Sequence, residues 1–159
     1  MKRLFFPVTL ILLLSLLLAA CGGNGGVQPL PGSEQLSRLL VDAGVFSDEL
    51  EPVDADIAAY LYGLTETEGV ELHSWLSSSG GTAEEFSLFI CQDDAALKAA
   101  RESVNARLEF QKRTYGDYAP AEVPKLEGAV IRVRDKVLAL CVSADSEKAA
   151  KLLAAYFPA

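Results

Sequence analysis

The chain has 159 residues, half of them hydrophobic, which is enough for one buried core and too apolar for a disordered polymer. It holds 14 Lys and Arg against 22 Asp and Glu; without Lys2 and Arg3, which lie in a segment expected to be removed, 12 bases face 22 acids, a net charge of −10. So acidic a chain is repelled by nucleic acid and by anionic headgroups, so no nucleic-acid partner is expected, and membrane contact is expected only through a covalent anchor.

Lys2 and Arg3 precede Leu4 to Leu18, a run that is apolar apart from Pro7, Thr9 and Ser15, and the small residues Ala19 and Ala20 follow. That is a secretory signal layout. A transmembrane helix would need about 20 apolar residues, and this run is shorter and broken early by Pro7. Leu18-Ala19-Ala20-Cys21 resembles the lipobox of bacterial lipoproteins. The resemblance implies cleavage before Cys21, a diacylglyceryl thioether on its sulfur, and residence on the outer face of a Gram-positive cytoplasmic membrane. Two acyl chains matter because each buried methylene adds about 0.8 kcal/mol and one chain holds only marginally. Gly22 to Gly32 reads GGNGGVQPLPG, uncharged and rich in Gly and Pro, and is expected to be a flexible tether spanning about 18 Å. The expected organisation is a signal peptide over 1–20, a tether over 21–32 and one globular domain over 33–159.

A first helix is expected from Glu34 to Ala43, with Ser33 as N-cap and Gly44 as stop. Asp48 to Asp56, with five acids and Pro52, reads as a loop, and Ile57 to Leu64 as a strand or an irregular core segment. Val70 to Ser77 alternates as a half-buried strand, Ser78 to Gly81 turns, and Phe86 to Cys91 is apolar enough on both faces to be a central strand. Asp93 or Asp94 caps a long helix running to about Tyr115, with Leu97, Ala100, Val104 and Leu108 as its buried stripe. Ala129 to Arg134 and Lys136 to Ser143 form a hairpin, and Ala149, Leu152, Leu153, Tyr156 and Phe157 mark a last helix. The pattern predicts an α+β two-layer domain: a mostly antiparallel sheet of about five strands against the long and C-terminal helices, plus a short N-terminal helix.

Tyr62-Gly63-Leu64, Ala83-Glu84-Glu85-Phe86, the Arg107 and Gln111 pair, Tyr118-Ala119-Pro120 and the closing hairpin and helix together give a likeness. On these residues the chain resembles the small, mostly Gram-positive lipoproteins catalogued as domain of unknown function 4358, over roughly Ser33 to Phe157. The resemblance implies a surface lipoprotein of unassigned role and transfers no catalytic residue.

Arg107 and Gln111, at i and i+4, stand together beside the buried stripe and need partners. Either they pin the Tyr115 to Pro120 connection through its carbonyls or an acid, or they form an interaction patch with Tyr115 and Tyr118. Cys91 and Cys141 are read as reduced core thiols, with a disulfide between them as the less favoured alternative. His73, the only histidine, lacks the companions of a zinc site or a Ser-His-Asp triad and is read as a surface pair with Trp75. Asp48, Glu49, Glu51, Asp54 and Asp56 lack EF-hand spacing and are read as a solvated loop. No cofactor, metal or catalytic residue is assigned.

Charge is uneven along the chain: residues 21–95 carry one base and 14 acids, and residues 96–159 carry 11 bases and 8 acids. Lys98, Arg101, Asn105 and Lys112 form a helical stripe read as a solvated face; alternatively it meets an acidic polymer such as wall teichoic acid or the acidic half of another copy, so that a protein or a cell-wall polymer is the expected kind of partner. The leading functional reading is a noncatalytic, lipid-tethered binding or assembly module. The alternatives are a carboxylate-based or metal-assisted hydrolase and an accessory small-solute receptor.

Overall fold

The computed structural model describes residues 28–65 and 68–158. The signal segment, its cleavage residues Leu18, Ala19 and Ala20, and Cys21 lie outside them. Five strands form one antiparallel sheet in the order β1-β2-β3-β5-β4. They are β1 (Leu50–Val53), β2 (Val70–Ser77), β3 (Glu85–Cys91), β4 (Val130–Arg134) and β5 (Val137–Val142). The helices are α1 (Ser33–Asp42), α2 (Ala55–Tyr62), α3 (Asp94–Tyr118), α4 (Val123–Glu127) and α5 (Ser146–Ala154).

Strand alternation divides the core in two. On one face Leu72, Phe89, Leu138, Leu140 and Val142 pack with Ala58 and Tyr62 of α2 and with Ala96, Ala100, Val104 and Leu108 of α3. On the other, Phe86, Leu88, Ala139 and Cys141 pack with Leu36 and Leu40 of α1 and Ala149 and Leu153 of α5. β3 is central and buried on both faces, as its continuous apolar run implies. The α+β class and the antiparallel five-stranded sheet stand; helices clad both faces of that sheet, one layer more than the sequence suggested.

Two segments depart from their sequence reading. Ile57 to Leu64 belongs to a helix rather than a strand: α2 closes in a Schellman arrangement at Gly63 (φ 65°), whose N–H donates to the Tyr60 carbonyl while Leu64 N–H donates to the Ala59 carbonyl. The fifth strand comes instead from within the acidic stretch, where Leu50 to Val53 runs along the β2 edge, Pro52 opposite Trp75. Proline is tolerated there because an edge strand has one unpaired side. α3 also continues three residues past Tyr115, through Gly116 to Tyr118, whose ring lies 5.1 Å from that of Tyr115.

The registers give the sheet two distinct ends. Leu50, Leu76, Glu85, Val142 and Val130 share the end that holds the β2–β3 turn; Val70, Cys91, Val137 and Arg134 share the end that holds the β4–β5 hairpin.

Candidate functional site

Glu85 is the first residue of β3 and faces α2 and α3, on the same side as Ser87 and Phe89. A carboxylate 1 % exposed must be paired or neutralised, and Arg107 of α3 supplies the charge. Arg107 Nε donates to both Glu85 oxygens, at 3.1 and 2.9 Å, and Nη2 donates to Oε2 at 2.5 Å. Tyr62, from the end of α2, donates its hydroxyl to Glu85 Oε1 at 2.6 Å and lies 3.0 Å from the Ser87 hydroxyl, which meets Ser74 at 2.8 Å. The Arg107 guanidinium also stacks over the Tyr62 ring at 4.8 Å. Ser103 of α3 donates to the Tyr62 carbonyl, joining the two helices at this point.

The electrostatics follow from burial. Desolvation and the neighbouring Glu85 carboxylate push the Tyr62 phenol well above its usual pKa, so it remains a donor. Desolvation works against the Arg107 cation, but Glu85 outweighs it and the guanidinium is held more firmly protonated than usual. Neither group is poised to exchange a proton near neutrality.

Glu84, the adjacent carboxylate, serves a separate structure. Its oxygens accept from the Ser47 and Asp48 backbone N–H groups and from the Ser47 hydroxyl, and Lys125 Nζ lies 3.0 Å away. Burial alone would raise its pKa, but the Ser47, Asp48 and Lys125 contacts prevail and lower it. Two adjacent acids therefore have separate partners, and Glu84, with its pKa lowered, does not resemble a general acid.

The four patch residues have unequal positions. Arg107 is buried in the ion pair; its acid comes from β3, not from the Tyr115 to Pro120 connection considered from sequence. Tyr115 is buried, donates its hydroxyl to the Thr82 carbonyl at 2.6 Å, and so is the residue that ties the end of α3 to the β2–β3 turn. Tyr118 is 59 % exposed. Gln111 lies between them, its Oε1 buried with no hydrogen-bond partner among the described residues. Arg107, Gln111 and Tyr115, but not Tyr118, line a cavity of about 120 Å³ at the turn end of the sheet, together with Gly80, Thr82 and Glu85. Sequence reasoning missed Tyr62, Glu85, Ser87 and Ser74 as members of this cluster. A signal was present: a carboxylate opening a strand that is otherwise almost wholly apolar requires a buried cation, and Arg107 is the base that borders the apolar stripe of α3.

The other features lie apart. A shallow groove of about 400 Å³ between α2 and β1–β2 includes Asp56, Glu71, His73 and Trp75 in its lining, but Glu71 and His73 bond each other at 2.8 Å. Trp75 packs towards Phe86, ring centroids 5.7 Å apart. Asp48 accepts from the Ser77 and Ser79 hydroxyls, which hold its pKa down to about 2, and so fastens the segment before β1 to the β2–β3 turn. Among the described residues no group of three or more His, Cys, Asp or Glu is arranged to hold a metal ion. Cys91 and Cys141 are unbridged and face opposite sides of the sheet. Lys98 lies 3.7 Å from Glu102 and Lys112 2.9 Å from Glu109, so two members of the basic stripe have acidic neighbours on their own helix.

A family model described as Domain of unknown function (DUF4358) matches residues 43–143, from the end of α1 through β5, and this span includes Tyr62, Glu85, Arg107 and Gln111. No curated protein and no solved structure matches the chain.

Proposed function

The chain belongs to the family of Domain of unknown function (DUF4358), and from its site geometry we propose that it is a lipid-anchored, extracytoplasmic binding module whose contact site is the turn end of the sheet. One observation carries the binding part of this reading. The Gln111 amide oxygen is a buried acceptor with no donor among the described residues, in the lining of a cavity whose buried charges, Glu85 and Arg107, are already paired. A buried acceptor left unmade costs about 1–3 kcal/mol, so the position favours a donor from outside the chain: solvent in the free protein, a partner's N–H or O–H in a complex. Tyr118, further along the same helix and 59 % exposed, adds an aromatic of the type enriched among contact anchors. The anchor part rests on the Leu18-Ala19-Ala20-Cys21 sequence.

Both parts are testable in the native host. The mature N-terminus should carry diacylglyceryl on Cys21, and Cys21→Ser should leave the leader uncleaved and the protein without a thioether lipid, read by mass. A photocrosslinker at position 118 should give a discrete surface adduct. Gln111→Ala should reduce that adduct at least tenfold while leaving the melting temperature within a few degrees. An adduct unaffected by Gln111→Ala would remove the site.

A further inference from the structure

We infer that the bilayer carrying the anchor is met by the hairpin end of the sheet, so that the turn-end cavity is presented away from the membrane. The inference rests on the anchor reading above and adds an orientation to it.

The chain is docked before α1 begins. Gln28 N–H donates to the Ala155 carbonyl at 3.2 Å, and its own carbonyl accepts from Arg134 Nη1 at 2.6 Å. Arg134 Nη1 also donates to the Tyr156 carbonyl, and Leu30 packs on the α1/α5 core. Gln28 is thus fixed beside the last residue of β4 and the end of α5. Six residues separate Gln28 from Cys21. Seven Cα steps reach at most about 25 Å, and as free coil they would average about 15 Å. A body of this length is about 36 Å across, so the path over its surface from one pole to the other is about 57 Å. A leash of that length cannot bring the turn end to the bilayer. It holds the hairpin end there.

Charge does not set this orientation. At the hairpin end Lys136 lies 2.6 Å from Asp94 with Asp93 and Asp135 also near it, Arg134 lies 3.8 Å from Asp135, and Lys151 lies 2.7 Å from Glu147. At the turn end Glu84 and Glu85 are likewise matched, by Lys125 and Arg107. The reach of the chain from Gln28 to Cys21 is what decides which end meets the bilayer.

The test uses lipidated full-length protein purified from membranes and placed in phosphatidylglycerol–phosphatidylcholine vesicles containing a headgroup nitroxide quencher. A fluorophore is attached at Asp135→Cys or at Ser78→Cys, Cys91 and Cys141 being buried. Quenching at 135 should exceed that at 78 at least twofold, and inserting twenty Gly/Ser residues between Gly26 and Val27 should abolish the difference. Equal quenching with the native leash, or more at 78 than at 135, overturns the orientation, and a contrast that the insertion leaves intact overturns the short leash as its cause. If the mature protein carries no lipid on Cys21, the anchor reading falls and the orientation falls with it; lipid present with equal quenching removes the orientation alone.

Discussion

At the scale of single residues, the Arg107–Glu85 pair has an asymmetric energy. Two buried charges balance each other, yet removing one leaves the other as an uncompensated charge that is 8 % exposed at most. Arg107→Ala should therefore lower unfolding stability by about 3–5 kcal/mol in urea titrations. The double variant Arg107→Met with Glu85→Leu should be less damaging than either single change, because it removes both charges together. Asp48 gives a pH signature of opposite placement, at the surface. Its carboxyl is held down to about 2 in the fold against an ordinary 3.8, so the stability it contributes is complete above that ordinary value and disappears as pH falls towards 2. Asp48→Asn should flatten the acid limb of the stability profile in that interval and leave its neutral region parallel to wild type. Burial pushes the Cys141 thiol up to about 12 and raises Cys91 as well. Alkylation at pH 8 should thus leave both untouched in the folded chain, while unfolding without reductant should expose Cys91 and Cys141 as free thiols.

At the scale of elements, α2 shows what periodicity could and could not reveal. Eight residues with tyrosines and leucine in succession satisfy a strand pattern as readily as a helical one. The deciding information was the glycine that follows. Gly63 sits at φ 65° with open space where a Cβ would project, so Gly63→Ala should cost about 1–2 kcal/mol through backbone strain alone, with no clash, as measured by thermal melts. β1 was hidden for the opposite reason: its acids and Pro52 are loop-like in composition, and only pairing with β2 makes four residues into a strand. β3, α3 and the β4–β5 hairpin were legible because long, regular patterns decide themselves. The cluster of Tyr62, Glu85 and Arg107 was only half legible. Arg107 was recognisable as a polar residue at a core border, but its partners sit 22 and 45 positions away in sequence, and only strand register brings them together.

At the scale of the whole molecule, the two faces of one sheet do different work. The α1/α5 side receives the incoming chain at Gln28, and the α2/α3 side carries the ion pair and the cavity at the far end. β1 adds a property that becomes important under confinement. Molecules held to a surface by their lipids meet neighbours far more often than in free solution, and an unpaired strand edge invites them to add to one another without limit. Pro52 puts a ring where an amide hydrogen would have been, and Glu51 beside it adds repulsion between like copies. The anchor proposed above would gather such molecules in two dimensions, and there Pro52 and Glu51 would protect them from polymerising along that border.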